Sequence, residues 1–141
     1  MLIDDRSKRL SHIIGDTLVE YVKIERALVN ICEELPDTPR WAALITLEGA
    51  IVRHYPTLMD GDHIAVLTHS LITQSRHLLT DTGSGLFHYN ICAGADGIYF
   101  TFLLGEAHLL ALLFPRVTTV DAILRQVPRL AAPALELLNR P

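Results

Sequence analysis

Cysteine is scarce in this chain. Cys32 and Cys92 are the two among 141 residues, and no CxxC spacing occurs. That argues against a disulfide framework or a zinc knuckle and points to a reducing compartment, so a cytoplasmic setting is expected. A surplus of positive charge is also missing. Twelve Lys and Arg stand against sixteen Asp and Glu, for a net charge of −4 with His neutral. Nucleic-acid binding leaves a basic stripe as its footprint, so no nucleic-acid partner is expected. Long apolar runs are absent too. None reaches the ~18 residues of a membrane span. The opening MLIDDRSKRLSHII lacks the apolar region of a signal peptide. No membrane insertion is expected, and no internal repeat or low-complexity tract is visible.

Half of the residues are hydrophobic and a fifth are charged, which suits one folded domain. The stretch from Leu86 to Phe114, LFHYNICAGADGIYFTFLLGEAHLLALLF, organises it. Turn signals at 94–97 and 104–107 divide it into three antiparallel strands, about 86–93, 97–103 and 108–114. The first alternates, with Phe87, Tyr89 and Ile91 on one face and His88, Asn90 and Cys92 on the other, and reads as an edge. The last is apolar on both faces and reads as central.

Residues 1–15 read as a charged N-terminal extension with scattered apolar positions. Thr17 and Glu20 form a capping box for a helix to about Leu35, which Pro36 and Pro39 stop. A hairpin follows. Residues 41–47 form an apolar interior strand, Glu48-Gly49 the turn, and residues 50–55 a shorter edge strand. Asp60 or Asp62 caps a second helix to about Thr80. Ile64, Leu67, Leu71, Ile72, Leu78 and Leu79 form its apolar stripe, and His69, Gln74, Arg76 and His77 stand on a polar side with little charge. Thr118 and Asp121 cap a last helix to about Asn139. Pro128 and Pro133 inside it predict a kink or two shorter helices.

The order is helix, two strands, helix, three strands, helix. With the turn glycines Gly49, Gly97 and Gly105 and the small-residue break at Gly83–Gly85, it resembles the roadblock/dynein light chain family over about residues 16–141. The internal prolines of the last helix and the extension before Thr17 depart from that pattern. The resemblance implies an α+β domain, α-β-β-α-β-β-β-α, with a five-stranded antiparallel sheet of order 2-1-5-4-3 between helices, akin to profilin. It also implies a homodimer, or a heterodimer with a similar roadblock chain, joined through strand 3 and the second helix. The expected dimer contacts are Phe87, His88, Tyr89, Asn90, Ile91 and Leu71. The implied function is non-enzymatic scaffolding or regulation of a small Ras-like GTPase, with His69, Gln74, Arg76 and His77 as candidate partner contacts.

Motif reading finds no active site. The seven histidines form neither HxH nor HExxH, and no metal or cofactor is expected. His88 and Cys92 lie four apart on one strand, about 13 Å at ~3.3 Å per residue, too far for a nucleophile and its base. Gly83-Ser84-Gly85 is too short for a phosphate loop and follows a helix. A different function is open: a profilin-like or PAS-like sensor that takes a small apolar ligand between sheet and helix. A pocket above ~300 Å³ would favour it.

Overall fold

The computed structural model describes residues 21–58, 60–115 and 120–139. Helix α1 covers described residues 21–34. It is followed by β1 (Trp41–Thr46), β2 (Ile51–Tyr55), α2 (Gly61–Asp81), β3 (Tyr89–Ala93), β4 (Ile98–Leu104), β5 (His108–Phe114) and α3 (Val120–Leu138). The strands form one antiparallel sheet of order β2-β1-β5-β4-β3. The capping residues Thr17, Glu20 and Thr118 and the extension 1–15 lie outside the described residues.

Alternation along β1 and β5 builds two cores. Ala42, Leu44, Leu110, Leu112 and Phe114 face α1 and α3, where they meet Leu28, Ile31, Ile123 and Val127. Trp41, Ala43, Ile45, Leu109 and Ala111 face α2 and meet Ala65 and Ile72. Both faces are covered, as continuous apolar strands require. Gly49 sets the approach of α2. Its φ is +95°, and a Cβ there would lie 3.1 Å from the His69 Cβ and 3.3 Å from the Ala65 carbonyl oxygen. The β1–β2 turn therefore closes directly against the helix.

Three local expectations change. Asp60 occupies the N-cap position of α2 at φ 55°, but its side chain makes no capping bond; its carbonyl accepts from the Ile64 N–H. The third strand begins at Tyr89 instead of 86, and its expected facial pattern breaks there. Phe87 packs under α2, whereas Ile91 packs on the opposite face. Finally, of the two forms expected for the last helix, division into two shorter helices is excluded: α3 continues through Pro128 and Pro133 as one helix. Both prolines are exposed, so the hydrogen bonds they remove lie on the solvent side, where water can replace them.

Leu112 is fully buried in the first core. Leu112→Ala is expected to lower stability by ~2–5 kcal/mol in chemical denaturation. A loss under about 1 kcal/mol would mean that β5 is not the central strand.

Candidate interaction surfaces

The two sheet edges differ in construction. On β2 the register slips between Leu44 and Ile45, so Val52 is a bulged extra residue. Arg53 of that strand reaches Glu25 of α1 at 3.2 Å and lies 5.5 Å from the centroid of the Tyr21 ring. A bulge, an arginine and a flanking helix blunt this edge. On β3 the register with β4 runs unbroken from Tyr89↔Phe102 to Ala93↔Ile98. The Leu103 N–H donates to the His88 carbonyl and the Gly94 N–H to the Gly97 carbonyl. Antiparallel pairs alternate between hydrogen-bonded and unbonded. His88, Asn90 and Cys92 therefore turn their backbone groups toward β4, and Tyr89, Ile91 and Ala93 turn theirs outward. The strand carries no lysine, proline or bulge.

The β3 side chains follow a separate alternation. Tyr89 is about half exposed, with its ring 6.0 Å from that of Phe102. Asn90 points toward α2, where its Nδ2 donates to Ser75 Oγ at 3.1 Å. His88 is exposed. Of the expected dimer contacts, Phe87 is the one that is buried, 4% exposed beneath α2. It supports the edge from below.

Helix α2 is held to the sheet through Ala65, Thr68 and Ile72. The Thr68 hydroxyl donates to the Ile64 carbonyl at 2.7 Å and lies 2.5 Å from the Tyr99 hydroxyl. Gln74, Arg76 and His77 are exposed, but His69 is not on that open side. It is half-buried, and its Nδ1 donates to the Leu47 carbonyl. A side chain engaged in this way locks helix to turn, so the placement of His69 on an open polar face is corrected. Leu71 is half-buried beside an apolar groove of about 420 Å³ that includes Trp41, Leu67 and Tyr99.

Val66, Leu67 and Leu78 are exposed at 56, 55 and 65%; Leu67 and Leu78 belong to the expected apolar stripe, and Val66 lies beside it. The signal was present in the stripe itself. Residues 64, 67, 71 and 78 run one position away from the buried line 65, 68, 72, about a hundred degrees around the helix. The line 65, 68, 72 is buried on the sheet; of the other, Ile64 and Leu71 pack partly against the same core, while Leu67 and Leu78 are exposed. Between Asp62 and Asp81 the sole formal charge on α2, with His neutral, is Arg76.

A second groove, of about 520 Å³, separates α3 from the β3–β4 side of the sheet. Phe102, Leu104, Val127 and Ala131 lie low in it, and Leu86, His88 and Tyr89 stand at its mouth. Among the described residues no group of three or more His, Cys, Asp and Glu could hold a metal ion. No described helix is long and apolar enough to cross a membrane. Cys92 is exposed and Cys32 buried.

Among solved structures, the gliding protein MglB of Thermus thermophilus superposes with a TM-score of 0.73, covering 84% of this chain and 90% of that one at 20% identity. MglB of Myxococcus xanthus gives 0.76 over 84% and 89% at 14% identity. A roadblock/LC7 domain from Streptomyces avermitilis gives 0.69 over 78% and 95% at 19% identity. This chain has the roadblock fold. No protein-family description and no curated protein sequence matches it. In this chain the unblunted β3 edge and the outer face of α2 are neighbours, joined by the Asn90–Ser75 bond.

Burial pushes the Cys32 thiol up to about 11 from 9.0, with Glu33 adding in the same direction. Desolvation also raises the Tyr99 phenol, against the opposing effect of its Thr68 hydrogen bond. Both are acids with raised folded pKa values. Their stabilising contribution is whole below the unfolded values and is lost as pH rises through the folded ones. Stability should therefore fall between about pH 9 and 11, by up to roughly 3 kcal/mol from Cys32 at 1.36 kcal/mol per unit. Chemical denaturation across this range should show the fall, and Cys32→Ala should flatten it. An unchanged slope in a folded Cys32→Ala variant would contradict this account of the thiol.

Proposed function

We propose that this chain is a non-enzymatic, dimeric interaction module that binds and regulates a small Ras-like GTPase. The carrying observation is the junction of two open surfaces, the unpaired β3 edge and the weakly charged outer face of α2. A free edge strand with good cross-strand side chains invites a second strand. Two copies meeting antiparallel through β3 form a closed two-fold pair, not an open fibre. That pairing brings the two α2 helices to the same side of an extended sheet. Val66, Leu67, Gln74, Arg76, His77 and Leu78 then present a broad face of low charge, the kind of surface a folded protein partner covers. The roadblock fold and its likeness to MglB support the GTPase as the partner class. A further similar structure is of MglB in a tetrameric arrangement, which supports self-association as part of the reading. Arg76 contributes surface charge here. No insertion of that side chain into a nucleotide site is invoked.

Two experiments test this reading. Proline at Tyr89 removes an outward N–H and leaves the β4 ladder intact, whereas proline at Asn90 attacks the ladder itself. By light scattering, the wild type should be a dimer at micromolar concentration and Tyr89→Pro a folded monomer. A monomeric wild type, or a folded Tyr89→Pro variant that stays dimeric, would put the interface elsewhere.

The partner is tested by pull-down from native lysate with and without a non-hydrolysable GTP analogue. Nucleotide-dependent recovery of a GTPase is expected. Reversing Arg76 and His77 to Glu together should weaken it by about tenfold or more, the effect of about 1.4 kcal/mol or more. Undiminished recovery with the double variant would move the docking site off α2.

A further inference from the structure

The sheet face beneath α2 has three rows of register partners. Trp41, Leu113, Tyr99 and Cys92 form the first, Ala43, Ala111, Thr101 and Asn90 the second, and Ile45, Leu109 and Leu103 the third. Ala43, Ala111, Thr101, Ile45 and Leu109 are all 0% exposed. The first row is less well covered. Leu113 and Tyr99 are half-buried, and the groove of about 420 Å³ runs between this row and the flank of α2. On the opposite face of the sheet two helices, α1 and α3, share the cover. Here, among the described residues, α2 covers alone.

The groove has the dimensions of a helix seat. Ile64, Leu67 and Leu71 form its helical wall, a span of about 10.5 Å at 1.5 Å per residue. A second helix laid along α2 repeats its side chains at i, i+4 and i+7 over the same length. The Trp41 and Tyr99 rings, 5.9 Å apart, form the other wall with Leu113. An extended segment finds no backbone to pair with here, because β1, β5 and β4 each have a strand on both sides. A helix satisfies its own backbone groups.

Leu67 is 55% exposed, so the seat opens to solvent. It is centred on β5, two strands in from β3. Leu71 is the one lining residue among the expected dimer contacts; Trp41, Ile64, Leu67 and Leu113 are not. No lining side chain carries a formal charge at neutral pH. The exposed charged residues nearest in sequence to Ile64 and Trp41 are Asp60, Asp62 and Arg40, an acidic excess on a chain of net charge −4. Complementarity calls for lysine or arginine beside the apolar stripe of the occupant.

We infer that the flank of α2 seats a basic amphipathic helix of a protein partner, its apolar side chains packed against Trp41, Leu67, Tyr99 and Leu113. This rests on the reading of α2 as a docking face and names what docks there.

The test uses the full chain and two capped synthetic helices. One is built of Leu, Ala and Lys with leucines at i, i+4 and i+7; its twin has Glu in place of Lys. Trp41 is the single tryptophan of the chain and reports on the groove. The Lys peptide should change its emission saturably, one peptide per chain. The Glu twin should bind about tenfold or more weakly, and Leu67→Lys should weaken the Lys peptide by a similar factor. Methyl NMR of the wild type should place the shifts at Ile64, Leu67 and Leu113, which decides the matter if Leu67→Lys fails to fold. No saturable change in emission, equal affinity for the two peptides, undiminished binding by folded Leu67→Lys, or shifts confined to Leu124 and Leu135 beneath α3 would each overturn the inference. The peptides contain no GTPase. Recovery of a GTPase from lysate without peptide binding would therefore overturn this inference alone, and peptide binding without such recovery would overturn the GTPase reading alone.

Discussion

The backbone groups of an edge strand must be solvated, covered or paired, and an antiparallel sheet of five strands has two such edges. Here they are handled in opposite ways. The β2 edge has a bulge at Val52 and carries Arg53, bonded to Glu25 of α1. The β3 edge keeps an unbroken register and points the backbone of Tyr89 and Ile91 into solvent. A chain that blunts one edge and leaves the other open limits how it can assemble. Growth can add one neighbour at β3 and stops there, because the far side of each copy is already closed.

The interior makes that open edge rigid enough to use. β1 and β5 are covered on both faces, and the alanines Ala43, Ala65 and Ala111 share the core beneath α2. Small side chains let the helix axis come close to the sheet. Three polar ties then fix α2 in place: His69 to the β1–β2 turn, Thr68 to Tyr99 on β4, and Ser75 to Asn90 on β3. The last tie connects the exposed helix with the open edge strand.

The architecture was legible because texture reports burial. Continuous apolar character marked β1 and β5 as central, and alternation with His and Asn marked β3 as an edge. Other features required the third dimension. Phe87 breaks the alternation because the chain before Tyr89 is not yet in the strand, so period-two logic does not apply to it. His69 looked like the other polar residues of α2, and only the approach of Gly49 and Leu47 shows that it faces the turn. Leu67 and Leu78 were read as part of one apolar stripe, and a helical wheel shows such an arc without saying which part of it the sheet covers. Pro128 and Pro133 were expected to kink α3 or divide it in two. Their exposure lets the helix continue, and exposure is a tertiary property. The groove beneath α3 arises from the spacing of packed elements, which no local pattern encodes.

The most direct test of the open-edge account is residue-resolved amide hydrogen exchange as a function of protein concentration. The amides of His88, Asn90 and Cys92 point to β4 and should be protected at every concentration. Those of Tyr89 and Ile91 point outward and should exchange fast in dilute solution, then gain protection as the concentration rises and copies pair. Fast, concentration-independent exchange at Tyr89 and Ile91 would contradict the account.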